Sequence, residues 1–161
     1  MPNREEHKAI GSIGGPVASI ALDQVRPRPR RRCSSKPALA GRAAASYFGG
    51  RVGAPLADLI DVPTSPRHRG FAHAVVPQGG FLWAVFGIIL AWRNAWLDIA
   101  DDLAECRERE ANPLIRLLLT VLEVGCGFVA EFPIGVVGGN MSHLLADAGT
   151  PDGLRFLGPG L

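Results

Sequence analysis

Residues 74–92 read AVVPQGGFLWAVFGIILAW and carry no ionisable side chain. At about 1.5 Å per residue, a helix over this run reaches roughly 28 Å, close to the thickness of a bilayer's hydrocarbon core. Trp83 and Trp92 have the amphipathic rings that suit a membrane interface. The competing reading is a core helix of a soluble protein, and the length criterion favours the membrane span. Pro77 and the Gly79–Gly80 pair weaken the first turns of the helix.

Downstream, residues 117–142 (LLLTVLEVGCGFVAEFPIGVVGGNMS) are apolar apart from Glu123 and Glu131. Pro133 predicts a break, giving one helix over roughly 113–130 and another over roughly 134–148. Gly135, Gly138 and Gly139 would let neighbouring helices approach closely. Upstream, residues 10–22 (IGSIGGPVASIAL) are apolar but too short to span comfortably alone, and a helix is expected over roughly 38–50.

Two charged segments separate these runs. Residues 26–37 (RPRPRRRCSSKP) hold six Lys or Arg and three prolines, and read as a solvated loop on the cytoplasmic side of a membrane. Residues 93–113 mix both signs and read as a surface helix ending before Asn112–Pro113, its acids solvated.

The totals agree with a small helical membrane protein. The 161 residues suffice for one domain, 47% are of hydrophobic type, and there are 20 glycines. A formal net charge of +2 provides no strong field for nucleic acid. Three cysteines without a C-x-x-C pair suggest neither a disulfide framework nor a cysteine zinc site. There is no G-x-S-x-G and no P-loop, so serine-nucleophile and NTPase chemistries lack support. The fold expected is all-α, a small integral membrane bundle, as one domain over 1–161.

The four histidines all border or enter apolar segments. His143 and Asp147 in SHLLAD (142–147) stand four apart, on one helix face, where both can bind one divalent cation. In DLIDVPTSPRHRGFAHA (58–74), Asp58 and Asp61 stand three apart, followed by His68 and His73. Arg69 between the histidines has the planar fork that suits a phosphate. With His7, these make seven N/O ligands: His7, Asp58, Asp61, His68, His73, His143 and Asp147. Such a set suits zinc first and manganese second. A helix cap with surface histidines is the bland alternative, and the adjoining apolar runs weigh against it.

At these residues the chain resembles a known family. HKAIGSIGG (7–15), APLADLIDVPTSPRHRG (54–70), HRGFAHA (68–74) and GGNMSHLLADAGTPDGLRFL (138–157) are similar, in chain order, to the motifs of the YdjM-like family. Its members are described as LexA-regulated, membrane-bound, metal-dependent hydrolases, distantly related to zinc-dependent phospholipase C and the single-strand nucleases. Ala57 and Ala74 replace the proline and serine usual there. The resemblance implies an all-helical, multi-pass protein of a bacterial or archaeal cell membrane, acting among lipids on a phosphoester. The seven residues above would be its ligands. Asp61 or Asp58 would bridge metals and orient water, and Arg69 would hold the phosphate. A non-catalytic metal-binding membrane protein of a stress response is the reading from a different class.

Overall fold

The computed structural model describes residues 4–25, 35–60 and 75–148. Four long helices carry nearly all of them: α1 (Arg4–Val25), α2 (Lys36–Gly53), α4 (Val75–Arg109) and α5 (Pro113–Ala148), with a single turn, α3 (Leu56–Ile60), after α2. No strand occurs among the described residues, so the all-α expectation holds.

Contacts along the helices fix an up-down-up-down arrangement. Gly11 lies against Gly50 and Gly15 against Ser46, so α1 and α2 are antiparallel. Gly127 lies against Ala38 and Gly53 against Val136, so α2 and α5 run the same way. Arg93 meets Glu131 and Arg107 meets Glu123, which makes α4 and α5 an antiparallel hairpin. Glycine permits the tightest of these approaches: a Cβ on Gly50 would stand 2.0 Å from the Gly11 carbonyl oxygen, which no relaxed packing tolerates.

Local signals place the helix starts. Ser35 caps α2, its Oγ accepting from the Ala38 N–H at 3.3 Å, and Pro37 occupies the first turn. Asn112 caps α5, its Oδ1 accepting from the Leu114 N–H at 2.9 Å, with Pro113 as the first helical residue.

Several expectations need correction. α5 is one helix of 36 residues that runs through Pro133, not two segments. Proline lacks the N–H that would bond to the carbonyl four residues back, which is Val129. The Trp92 indole N–H donates to that carbonyl at 3.0 Å and satisfies it from the neighbouring helix. Trp92 therefore repairs α5, beyond any interfacial role. The short run 10–22 is the middle of a 22-residue helix, and residues 36 and 37 of the expected loop already belong to α2. Residues 26–34 lie outside the described residues.

Residues 93–109 continue the helix begun at Val75. They are not merely a solvated surface helix: Arg93, Leu97, Ala100, Asp101 and Ala104 are buried at helical spacing. A small core of Ala38, Ala100 and Cys126 packs there with Trp96 and Leu103.

Among the described residues, α5 is long and apolar enough to cross a membrane. Large apolar side chains point outward on every long helix. Ile13 and Val17 do so on α1, Phe48 on α2, Trp83 and Ile88 on α4, and Leu114 and Leu145 on α5.

If Trp92 satisfies the carbonyl freed by Pro133, Trp92→Phe should lower the unfolding free energy by about 1–3 kcal/mol. In a Pro133→Ala background the N–H of residue 133 recovers that carbonyl, and the cost should fall by more than half. Equilibrium unfolding of the four proteins in detergent measures this cycle. Equal costs in both backgrounds would remove the indole from the account.

Candidate metal centre

Every fourth residue of α5 from Glu123 to Asp147 is buried: Glu123, Gly127, Glu131, Gly135, Gly139, His143 and Asp147. Small residues let helices close in, and charged ones meet partners from those helices. His143 and Asp147 end this stripe.

His7 reaches them from the second turn of α1, because antiparallel packing sets the start of α1 beside the end of α5. Asp58 arrives from α3. The chain leaves α2 at Gly53, turns through Ala54 and Pro55, and forms one helical turn against α5. Three segments distant in sequence thus deliver two imidazoles and two carboxylates to one end of the bundle.

The Nδ1 atoms of His7 and His143 are 2.8 Å apart, with ring centroids separated by 4.1 Å. His143 Nε2 lies 3.4 Å from Asp147 Oδ2 and 3.6 Å from Asp58 Oδ1. His7 Nε2 lies 4.0 Å from Asp58 Oδ2, so the two oxygens of Asp58 address the two histidines. His143, Asp147 and His7 are buried, whereas the Asp58 side chain is 39% exposed. Three of the four side chains are thus buried, and Asp58 is the one that reaches solvent.

Donor type and spacing suit a divalent cation. One ligand atom each from His7, His143 and Asp147 lie within 4.8 Å of one another, so the three could hold an ion. Ligands about 2.0–2.1 Å from a tetrahedral zinc stand about 3.3–3.4 Å apart, and the Nε2–carboxylate separations of 3.4 and 3.6 Å at His143 approach that value. The Nδ1–Nδ1 contact requires an adjustment. One Nδ1 must donate and the other accept, so the accepting ring, when neutral, carries its proton on Nε2. For both rings to ligate through Nε2, this contact must open.

Of the residues expected from sequence, His7, Asp58, His143 and Asp147 are brought together. Asp61, His68, Arg69 and His73 lie outside the described residues.

A second constellation was not anticipated. Arg42 of α2 and Arg93 of α4 each donate Nε to Glu131 Oε2 of α5 at 3.0 Å. Each also donates Nη2 to an oxygen of Asp23 on α1. Ser19 Oγ donates to the other Glu131 oxygen at 2.6 Å. Glu123 is fully buried between Arg107 Nε at 3.0 Å and Ser35 Oγ at 3.0 Å. The signal in the sequence is the four-residue spacing of Glu123, Gly127, Glu131, Gly135 and Gly139, which continues into His143 and Asp147.

Comparison with known proteins yields no match to a protein-family model, a curated protein or a solved structure.

His143→Ala and Asp147→Ala should each weaken metal binding at least about tenfold, the scale of loss for groups that build a metal site. Metal content of the purified variants after dialysis against a weak chelator reports it. Glu108→Gln, exposed on α4, should leave the content unchanged. Glu123→Gln is a poor control, because it leaves Arg107 without its buried partner and should destabilise the bundle instead. Full metal retention in both His143→Ala and Asp147→Ala would reject this ligand set.

Proposed function

We propose that the protein is an integral, multi-pass membrane protein that uses a divalent cation, zinc or manganese, to hydrolyse a phosphoester. The observation that carries the proposal is the meeting of His7, His143, Asp147 and Asp58 at one end of a bundle whose long helices all expose large apolar side chains.

For membrane residence, α1 with 22 residues and α2 with 18 reach roughly 33 and 27 Å, near the hydrocarbon thickness of about 30 Å. Only 22% of the most apolar window of α5 is buried within the bundle. A soluble core helix would hide most of such a window. The glycine-lined helix contacts are those favoured in lipid, where close backbone approach substitutes for hydrophobic burial. The buried charges are paired, as charges at membrane depth must be.

For the chemistry, His7, His143 and Asp147 would hold the ion, and a bound divalent ion supplies Lewis acidity toward water and a phosphoryl oxygen. A catalytic site would keep one coordination position open for water or substrate, and Asp58 is the partly exposed candidate of the four. Its two oxygens address both histidines, so it can hold the rings in place and accept a proton from an incoming water. The sequence adds Asp61, His68 and His73 to the ligand set and gives Arg69 the role of phosphate clamp. The substrate would be a phosphoester reached from the membrane, lipid-borne or nucleotide-like.

The protein should stay with the membrane pellet through alkaline carbonate. After purification it should hydrolyse phosphodiesters or phospholipids only when loaded with zinc or manganese. Arg69→Ala should keep the metal and lose about 10²–10³-fold in kcat, the usual cost of removing a donor to developing charge. Arg69→Lys should not restore it fully, because an ammonium lacks the bidentate fork. Metal-loaded protein that turns over no phosphoester would point to the non-catalytic reading.

A further inference from the structure

The Asp23 carboxylate is held from two sides by arginines. Arg42 Nη2 reaches Oδ2 and Arg93 Nη2 reaches Oδ1, each at 2.5 Å. The two guanidiniums therefore converge on one oxyanion and grip a different oxygen each, the pattern by which arginine pairs clamp carboxylates and phosphates. Their backs are fixed independently of Asp23. Both Nε groups bond to Glu131 Oε2, and Ser19 holds the other Glu131 oxygen. Arg93 is 2% exposed and Arg42 7%, so both forks are seated by the bundle.

Asp23 differs from the rest. Its side chain is 38% exposed, and it sits in the last turn of α1, two residues from the helix end. Glu131 is fully buried in the middle of α5. The charges sum to zero only with Asp23 in place: two arginines against Glu131 and Asp23. Without Asp23 the buried set carries one uncompensated positive charge, which is costly at low dielectric and demands an anion. The clamp is thus permanent, whereas the anion it holds belongs to a peripheral, partly exposed helix end.

We propose that Arg42 and Arg93, backed by Glu131, form a buried oxyanion site that Asp23 occupies as an internal ligand, and that a phosphate-type oxyanion takes the site when Asp23 withdraws. The ligand is the phosphodiester of an anionic lipid headgroup or free inorganic phosphate, which share the chemistry that the two forks recognise. Five arginines, at 26, 28, 30, 31 and 32, follow Asp23 within ten residues of chain, a composition that favours anions near this end of α1. The site requires no metal and stands apart from the proposed hydrolase activity.

Asp23→Asn tests it, because it removes the competing charge and keeps the shape. The full chain, purified in detergent, is titrated with inorganic phosphate against matched chloride while its unfolding midpoint is followed. A parallel set is reconstituted in nanodiscs of phosphatidylcholine alone or with phosphatidylglycerol. The variant should unfold earlier than the wild type without phosphate and recover as phosphate is added, with an apparent affinity at least tenfold tighter than that of the wild type. Recovery with inorganic phosphate alone identifies a soluble oxyanion. Recovery in phosphatidylglycerol nanodiscs without added phosphate identifies a lipid headgroup. Adding Arg93→Lys to Asp23→Asn should abolish either recovery, since the fork is lost. If Asp23→Asn does not fold in neutral detergent, the folded fraction regained on refolding with phosphate or phosphatidylglycerol becomes the readout, and Asp23→Ser should behave alike. Variants at Asp23 that respond to neither anion source would overturn the proposal and leave the four charges as a purely structural lock.

Discussion

Glu131 Oε2 accepts from Arg42 and from Arg93, and both arginines reach Asp23. One charged residue from each long helix therefore meets at a single point in the bundle. Such groups are expensive to bury unless all are paired, and a shift of one helix by a single residue would unpair at least one of them. The two arginines and Glu131 thereby fix the register of α2, α4 and α5, and Ser19, bonded to the other Glu131 oxygen, adds α1. The glycine contacts hold the same register, because at another offset a Cβ would meet a backbone carbonyl of the facing helix.

The meeting of His7, His143 and Asp147, a group that could hold a metal ion, follows from that register. His143 lies 12 residues beyond Glu131 on α5, about 18 Å along the axis at 1.5 Å per residue. His7 lies 12 residues before Ser19 on α1, the same distance along an antiparallel helix. With Ser19 Oγ bonded to Glu131, the two histidines come level at the far end of the α1–α5 pair. Gly11, Gly14 and Gly15 keep the intervening helices close enough for the rings to touch. The polar residues of α5 thus divide their work: Glu131 sets the alignment, and His143 with Asp147 uses it.

Much of this was legible in the sequence. The apolar runs and the i,i+4 pair His143–Asp147 are local patterns that translate directly into helices and their faces. The pairing of His7 with His143 across 136 residues was legible only through chemistry, since few other side chains could share an ion. What stayed hidden depended on neighbours from another helix. Pro133 reads as a break because its sequence context does not include the Trp92 indole. Arg93 reads as the first residue of a solvated segment because its partners, Asp23 and Glu131, lie 70 and 38 positions away. Glu123 reads as an isolated acid for the same reason, its partner Arg107 being on the other arm of the hairpin.

If imidazole and carboxylate meet at the junction of α1, α3 and α5 as a metal site, zinc bound there has a defined shell. X-ray absorption at the zinc edge, on protein purified and loaded with one equivalent of zinc, should show nitrogen and oxygen only, at about 2.0–2.1 Å, with the outer-shell scattering of two imidazoles. A sulfur shell at about 2.3 Å, or zinc that washes away without any ordered shell, would contradict it.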